Sequence, residues 1–143
     1  MQIQPYLFFD GRCEEALNFY HDALGIETTM LMRFKDMPPP SEPRAGGQDP
    51  IIPPGTENKV MHASFRIGDT VVNASDGHCQ GKAAFEGFGL ALNVADEKEA
   101  ERVFATLGQG GEVRMPLGKT FFSPSFGMTT DRFGVLWMVI VER

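Results

Sequence analysis

Alternating polar residues on one predicted strand are the first candidates for chemistry in this sequence. His62, Ser64 and Arg66 recur at every second position of residues 59–67, so an extended backbone places all three on one face. The residues between them are apolar, which is typical of a strand with one face in the core. The polar face must therefore meet water or line a pocket.

Each of these side chains has a chemical and a structural interpretation. His62 can act as a general base or as a hydrogen-bonding group that lines a pocket. Arg66 can bind an anion through its planar guanidinium, or lie in solvent at the rim of the sheet, which we favour. Ser64 has little reactivity alone, and no Ser-His-Asp or Cys-His set can be assembled from the sequence.

Two further segments resemble functional motifs. Asp76-Gly77-His78-Cys79 offers a carboxylate, an imidazole and a thiol, but Asp-Gly is first a turn signal and no second half of a metal site accompanies it. Residues 108–111 are rich in glycine but follow a predicted helix, whereas a phosphate-binding loop precedes one. We therefore interpret both segments as connections.

The elements that must position these residues come as a repeat. Each half has an apolar strand, an acidic helix start and an amphipathic helix that ends at a Leu-Gly pair, followed by strands. The repeat predicts an α+β fold in one domain, residues 1–143, with two βαβββ modules, 1–79 and 86–143. We expect a curved, largely antiparallel sheet with a concave cavity.

The two helices are predicted from their apolar periodicity and their ends. In the first, Cys13, Ala16, Leu17 and Tyr20 lie on one stripe, and Gly25 supplies a left-handed terminus. In the second, Asp96 is the N-cap, Glu99 completes a capping box, and Gly108 ends the helix. Strands are predicted at 5–9, 28–34, 59–67, 70–75, 88–94, 112–115 or further, 125–130 and 135–141.

A proline-rich segment, residues 37–58, interrupts the first module. Its prolines exclude a helix or a central strand. A long loop inside a compact domain is either a functional lid or contact segment, or a tolerated surface insertion. The sequence leaves both interpretations open.

The composition excludes several classes of function. A net charge of -6 argues against general nucleic-acid binding, which needs a basic surface. The longest apolar run, residues 135–141, is far shorter than the roughly 20 residues that span a bilayer. The first residues lack signal-peptide features, and the two cysteines are far apart, so we expect no disulfide and a cytoplasmic location.

Motifs throughout the chain resemble those of the vicinal oxygen chelate superfamily. That superfamily includes glyoxalase I, extradiol dioxygenases and the bleomycin- and fosfomycin-resistance proteins, and the chain is most similar to its PhnB-like branch. The residues that carry the resemblance are 6–16, Phe19-Tyr20, Leu24-Gly25, 60–63, Ser75-Asp76-Gly77, Phe126-Gly127 and 131–138. The resemblance covers nearly all of the sequence outside the proline-rich segment.

The resemblance implies a divalent metal held by His, Gln and Glu side chains, yet the matching positions do not supply them. The first-strand position falls at Pro5, within one residue, and its equivalent in the second module falls at Gly89. The last-strand glutamate position falls at Met138, whose thioether is a poor ligand for hard cations. For the fourth position, Asn73 or Ser75 is nearest. We therefore expect no bound metal and no cofactor.

These observations favour a PhnB-like protein that binds a small molecule in a cavity between the modules without a metal. The alternative is a metal-dependent lyase, isomerase or dioxygenase of the glyoxalase type, so enzymatic activity stays open. The resemblance also implies a homodimer; we expect neither nucleic acid nor a membrane as a partner. The cavity candidates are His62, Ser64, Arg66, Ser75, Asn93 and Met138.

Relatives in this branch are sometimes labelled methyltransferases. The sequence has no nucleotide-binding glycine motif, and its size and predicted topology disagree with a methyltransferase fold. We therefore do not expect that activity.

Overall fold

A computed structural model describes residues 1–37, 54–79 and 81–142. Most of the proline-rich segment therefore lies outside the described residues, and the interpretations of that segment stay predictions. The helices and strands are β1 (Tyr6–Phe8), α1 (Cys13–Leu24), β2 (Glu27–Arg33), a 3-10 turn (Phe34–Asp36), β3 (Val60–Ile67), β4 (Thr70–Ser75), β5 (Leu90–Val94), α2 (Glu97–Leu107), β6 (Glu112–Gly118), β7 (Phe126–Thr130) and β8 (Leu136–Val141).

The strands form two sheets with the same internal arrangement. Their orders are β1-β4-β3-β2 and β5-β8-β7-β6. Within the described residues, each sheet has one parallel pairing, β1 with β4 or β5 with β8, and two antiparallel pairings. The predicted α+β class and the repeated βαβββ order are confirmed.

The backbone divides into two compact units. The first comprises Met1–His21 with Gly25–Lys82, and the second comprises Asp22–Leu24 with Ala83–Arg143. In the first unit, the ring of Tyr20 on α1 lies 6.2 Å from the ring of Phe65 on β3. In the second, α2 packs on β5, β7 and β8. Each sheet therefore has one face covered by apolar side chains of a helix.

The predicted helix ends are confirmed, and two details differ from the simplest expectation. The Asp96 carboxylate accepts a hydrogen bond from the Glu99 amide at 2.8 Å, as an N-cap should. The Glu99 side chain accepts from the Ala95 amide, one residue before the expected partner. Gly25 is left-handed, whereas Gly108 keeps a right-handed backbone. Close packing explains why residue 108 is a glycine, since a Cβ there would lie 3.1 Å from Thr129 Oγ1.

One buried carboxylate joins three elements of the first unit. Asp76 is 1% exposed, and its Oδ1 accepts hydrogen bonds from the amides of Gly11 and Cys13, both at 2.8 Å. Its Oδ2 accepts from the Val60 amide at 2.8 Å, where β3 begins. The helix α1 has no side-chain cap of its own at Arg12. Asp76 therefore caps α1 from a distant part of the sequence, where a negative charge is favourable.

The second unit has a comparable carboxylate in the β7–β8 turn. Asp131 is 2% exposed and accepts hydrogen bonds from the amides of Phe133 and Val135 at 2.9 and 3.0 Å. Its other oxygen accepts from Trp137 Nε1 at 2.8 Å. Trp137 is 1% exposed, so the sequence-based expectation that it belongs to the core is confirmed.

Asp76→Asn should destabilise the protein by about 2–4 kcal/mol, because the amide removes the charge and turns a donor toward backbone N–H groups. Urea denaturation followed by circular dichroism measures this change. Asp69→Asn is the matched control, since Asp69 is an exposed acid in the β3–β4 turn; its effect should stay within about 0.5 kcal/mol. Equal effects of the two substitutions would contradict the role given to Asp76.

Gly111→Ala should also destabilise the protein, by about 2 kcal/mol or more. A Cβ at Gly111 would lie 1.9 Å from the backbone carbonyl oxygen of Thr130, which cannot move away without breaking strand pairing. Gly118→Ala is the control, because nothing lies within 4 Å of its Cβ position. Thermal unfolding of both variants tests this, and similar transition temperatures would show that the turn relaxes easily.

Candidate functional site

A chain of hydrogen-bonded side chains crosses the face of the first sheet that α1 leaves uncovered; we call this the open face. Tyr6 Oη lies 2.9 Å from His62 Nδ1, and His62 Nε2 lies 3.3 Å from Ser64 Oγ. Ser64 Oγ donates to Asn73 Oδ1 at 2.7 Å, and Asn73 Nδ2 donates to Gln4 Oε1 at 3.0 Å. Residues from β1, β3, β4 and the segment before β1 thus form one network.

The direction of these hydrogen bonds indicates which ring nitrogen of His62 carries the proton. Asn73 uses its oxygen toward Ser64 and its nitrogen toward Gln4, so the Ser64 hydroxyl is the donor to Asn73. With the Asn73 amide in this orientation, the Ser64 oxygen accepts from His62 Nε2, which places the ring proton on Nε2. His62 Nδ1 is left as an acceptor in the neutral ring, and the Tyr6 hydroxyl donates to it.

The strand register explains how distant residues meet. Tyr6 on β1 pairs with Asn73 on β4, and Ser64 on β3 pairs with the same Asn73. The neighbours of these residues, including Leu7, Ala63 and Ala74, are 0–1% exposed on the opposite face. Burial of that apolar face anchors the sheet, and a register slip of one residue would bury the polar set instead.

Exposed apolar side chains flank the polar chain. The Tyr6 and Phe8 rings lie 4.8 Å apart with a tilt of 30°, and these residues are 40% and 55% exposed. On the other side, Met32 pairs with His62 and Met30 pairs with Ser64. Met30 is 41% exposed. The open face thus combines apolar surface with a few fixed polar groups, as small-molecule sites do.

Of the four predicted site residues in the first module, two belong to the hydrogen-bonded chain and two have other partners. His62 and Ser64 are half-buried and belong to the hydrogen-bonded chain. Arg66 lies at the far end of β3, where it is exposed and forms an ion pair with Glu27, which raises the pKa of its guanidinium. Ser75 is 2% exposed, and its hydroxyl accepts a hydrogen bond from the Gly77 amide at 3.1 Å.

The remaining two candidates, Asn93 and Met138, lie in the second unit. Asn93 is exposed on β5, and Met138 is half-buried on β8. Strand pairing sets Met138 opposite Ala91 and Met128, so its surroundings there are apolar. Their part in a site stays a prediction.

Sequence reasoning missed Tyr6 as the partner of His62 and Gln4 as the partner of Asn73. Their signal was the alternation of Gln4, Tyr6 and Phe8, which indicates one face of a strand. The parallel pairing of β1 with β4 is not readable from that alternation, because those strands are distant in sequence. Asn73 appeared only as a possible metal ligand, whereas in the structure it orients Ser64.

Neither the Asp76–Cys79 segment nor the thiols offer an activated nucleophile. The Asp76 carboxylate is occupied by backbone amides, and the Cys79 thiol donates to the Asp76 carbonyl oxygen at 3.6 Å. Burial, with the Asp76 charge as the next cause, raises the pKa of both Cys13 and Cys79. Both thiols are therefore kept protonated at neutral pH, the less nucleophilic form.

Comparisons with known proteins agree with this architecture. The sequence profile of the Glyoxalase/Bleomycin resistance protein/Dioxygenase superfamily matches residues 2–139. The chain belongs to this superfamily. Within the superfamily, it is 34% identical to Protein YjdN of Escherichia coli K12 over 146 residues, covering 100% of this chain and 97% of that protein.

Two solved structures are similar to this chain, and the second of them is described as a PhnB protein. The protein PA1353 from Pseudomonas aeruginosa is 42% identical, with a TM-score of 0.82, and the match covers 99% of this chain and 98% of that one. A Bacillus cereus PhnB protein, described as a putative 3-demethylubiquinone-9 3-methyltransferase, is 28% identical with a TM-score of 0.77. That match covers 99% of both chains.

The donor set of this chain does not fit the divalent metal of glyoxalase-type enzymes. The resemblance places the superfamily's ligand positions at Pro5, with Gln4 and Tyr6 within one residue of it, at Gly89 and at Met138, with Asn73 or Ser75 nearest to the fourth. Asn73 and Ser75 already bind other groups of the protein. In the described part of the chain, no three His, Cys, Asp or Glu side chains are grouped to hold a metal ion. No step of a reaction can therefore be derived through a metal here.

The hydrogen-bonded chain makes a spectroscopic prediction for His62. In the neutral imidazole ring, its Nε2 should carry the proton and its Nδ1 should be unprotonated. Long-range ¹H–¹⁵N spectra of the histidine rings distinguish the two tautomers. Ser64→Ala should weaken this preference, because it removes the acceptor for the Nε2 proton. A ring protonated at Nδ1 in the wild-type protein would contradict the proposed direction of the chain.

Proposed function

We propose that this protein binds a small organic molecule on the open face of its first unit, without a metal. One observation carries the proposal: Tyr6, His62, Ser64 and Asn73 form a connected polar network on a sheet face that also exposes aromatic and methionine side chains. Such networks orient a ligand, while the apolar surface around them supplies binding free energy. Superfamily membership is consistent with this proposal but does not select a reaction.

The network is suited to recognition because its members hold one another in place. Each member of the network forms a hydrogen bond with at least one other member: Tyr6 with His62, His62 with Ser64, and Ser64 with Asn73. A ligand therefore meets side chains whose rotamers are already restricted, which lowers the entropy lost on binding. The first-module candidates His62 and Ser64 are central to the proposal, whereas Arg66, Ser75, Asn93 and Met138 are outer candidates.

The proposal includes a cytoplasmic location and a homodimeric state. Both cysteines are free, which fits a reducing compartment such as the cytoplasm. Among the described residues, no helix is long and apolar enough to cross a membrane. Exposed apolar side chains such as Val113, Met115 and Phe121 offer surface for a homodimer. Sedimentation measurements test this, and a monomer at all concentrations would contradict it.

A metal-dependent lyase, isomerase or dioxygenase is the competing function. Metal analysis of the purified protein separates the two. We expect less than stoichiometric zinc, nickel or iron, and ligand binding that a chelator does not change. Stoichiometric metal whose removal abolishes binding would overturn the proposal.

A His62→Ala variant tests the location of the site. Ligands from a metabolite screen that shift amide signals of β1, β3 and β4 in NMR spectra should bind this variant at least about tenfold more weakly, because it breaks the polar network at its centre. His78→Ala is the matched control, since His78 is exposed in the turn after β4. Unchanged binding by His62→Ala would remove His62 from the site.

A further inference from the structure

The Tyr6 hydroxyl has a defined hydrogen-bonding capacity left for a ligand. When the neutral His62 ring carries its proton on Nε2, as the hydrogen bonds of Asn73 favour, the Tyr6 proton is used toward His62 Nδ1. The phenol oxygen also accepts hydrogen bonds through its lone pairs. Tyr6 is 40% exposed, so this oxygen is an acceptor at the surface of the open face. A ligand group bound there must donate.

The chain of hydrogen bonds maintains this polarity. To present a donor instead, Tyr6 would have to leave His62 Nδ1 without its proton donor. The opposite direction along the chain would require Ser64 to stop donating to Asn73, whose amide nitrogen is engaged with Gln4. Reversal of the whole chain would require the Asn73 and Gln4 amides to turn over together, and Tyr6 alone could donate elsewhere only by giving up its hydrogen bond to His62. The orientation of one amide, Asn73, thus decides what Tyr6 can bind.

The surroundings of Tyr6 describe the rest of the ligand. The exposed Phe8 ring lies beside it, and exposed ring faces favour a flat ring system that stacks on them. The side chains that pair with the polar set across β2 are Met30 and Met32, which are uncharged. Of the charged side chains nearby, Arg66 and Glu27 already bind each other at the far end of β3. An ionised ligand would therefore lose hydration without gaining a charged partner among the described residues that flank the polar set.

We infer that the open face selects uncharged, planar ring compounds that carry an N–H or O–H donor, with Tyr6 Oη as the acceptor. This inference rests on the proposed function and goes beyond it, because it names the ligand class and the atom that selects it. The apolar rings recognise the flat body of the ligand. Compounds that can only accept hydrogen bonds should bind more weakly, because the Tyr6 proton is already used toward His62.

Indole and benzofuran are a matched pair of probes for this inference. They have nearly the same size and shape, but indole has a ring N–H where benzofuran has an oxygen. Titration of ¹⁵N-labelled protein should show shifts at β1, β3 and β4, with indole binding about fivefold to tenfold more tightly, the scale of one net hydrogen bond. Equal affinities would overturn the donor preference while leaving binding on this face intact.

Two variants assign the preference to its atom. Tyr6→Phe keeps the ring and removes the acceptor, so indole affinity should fall to that of benzofuran while benzofuran affinity stays unchanged. Phe8→Leu removes a stacking ring, so both probes should weaken by the same factor and their ratio should persist. A preference for indole that survives in Tyr6→Phe would show that another group accepts the donor, and would contradict the inference.

The experiment also separates this inference from the proposed function. If neither probe shifts the open-face signals while compounds from the metabolite screen do, the ligand class is wrong and the binding site stands. If no compound of either set shifts these signals in the folded protein, the proposed function fails together with the inference.

Discussion

The Asp76 carboxylate is the interaction on which the open face depends most directly. It receives backbone amides from the loop before α1, from the first turn of α1 and from the start of β3. It also follows β4 directly, so α1, β3 and β4 are tied to one buried charge. A carboxylate satisfied in this way is rigid, because each acceptor oxygen has a fixed donor. Because Asp76 holds the start of β3 at the end of β4, it also restricts the strands that carry the polar network.

The network and the apolar face beneath it follow from one strand periodicity. Ala63 and Phe65 are buried under α1, while His62 and Ser64 face outward between them. The core therefore holds the strand in register, and the register in turn aligns the polar atoms. Arg66 continues the same alternation but reaches Glu27 instead of the network. Its position at the strand end, and not its residue type, separates it from the site.

Much of the fold was predictable because its signals are local. Helix periodicity, the Asp96 cap and Gly25 depend on residues within a turn or two of each other, and the structure confirms them. Gly111 is different: its lack of a side chain is required by the Thr130 carbonyl on another strand. Likewise, the Asp76 segment indicated a turn from sequence, but its role as a cap for α1 depends on distant backbone.

By itself, the sequence determined the α+β class, the repeated βαβββ order and the outward placement of His62 and Ser64. These properties arise from short-range periodicity, which a single chain displays directly. Tertiary structure alone decided that Tyr6 and Gln4 join them and that Asn73 directs the hydrogen bonds. The reason is physical: parallel pairing brings together strands far apart in sequence, and hydrogen-bond direction exists only once the partners meet.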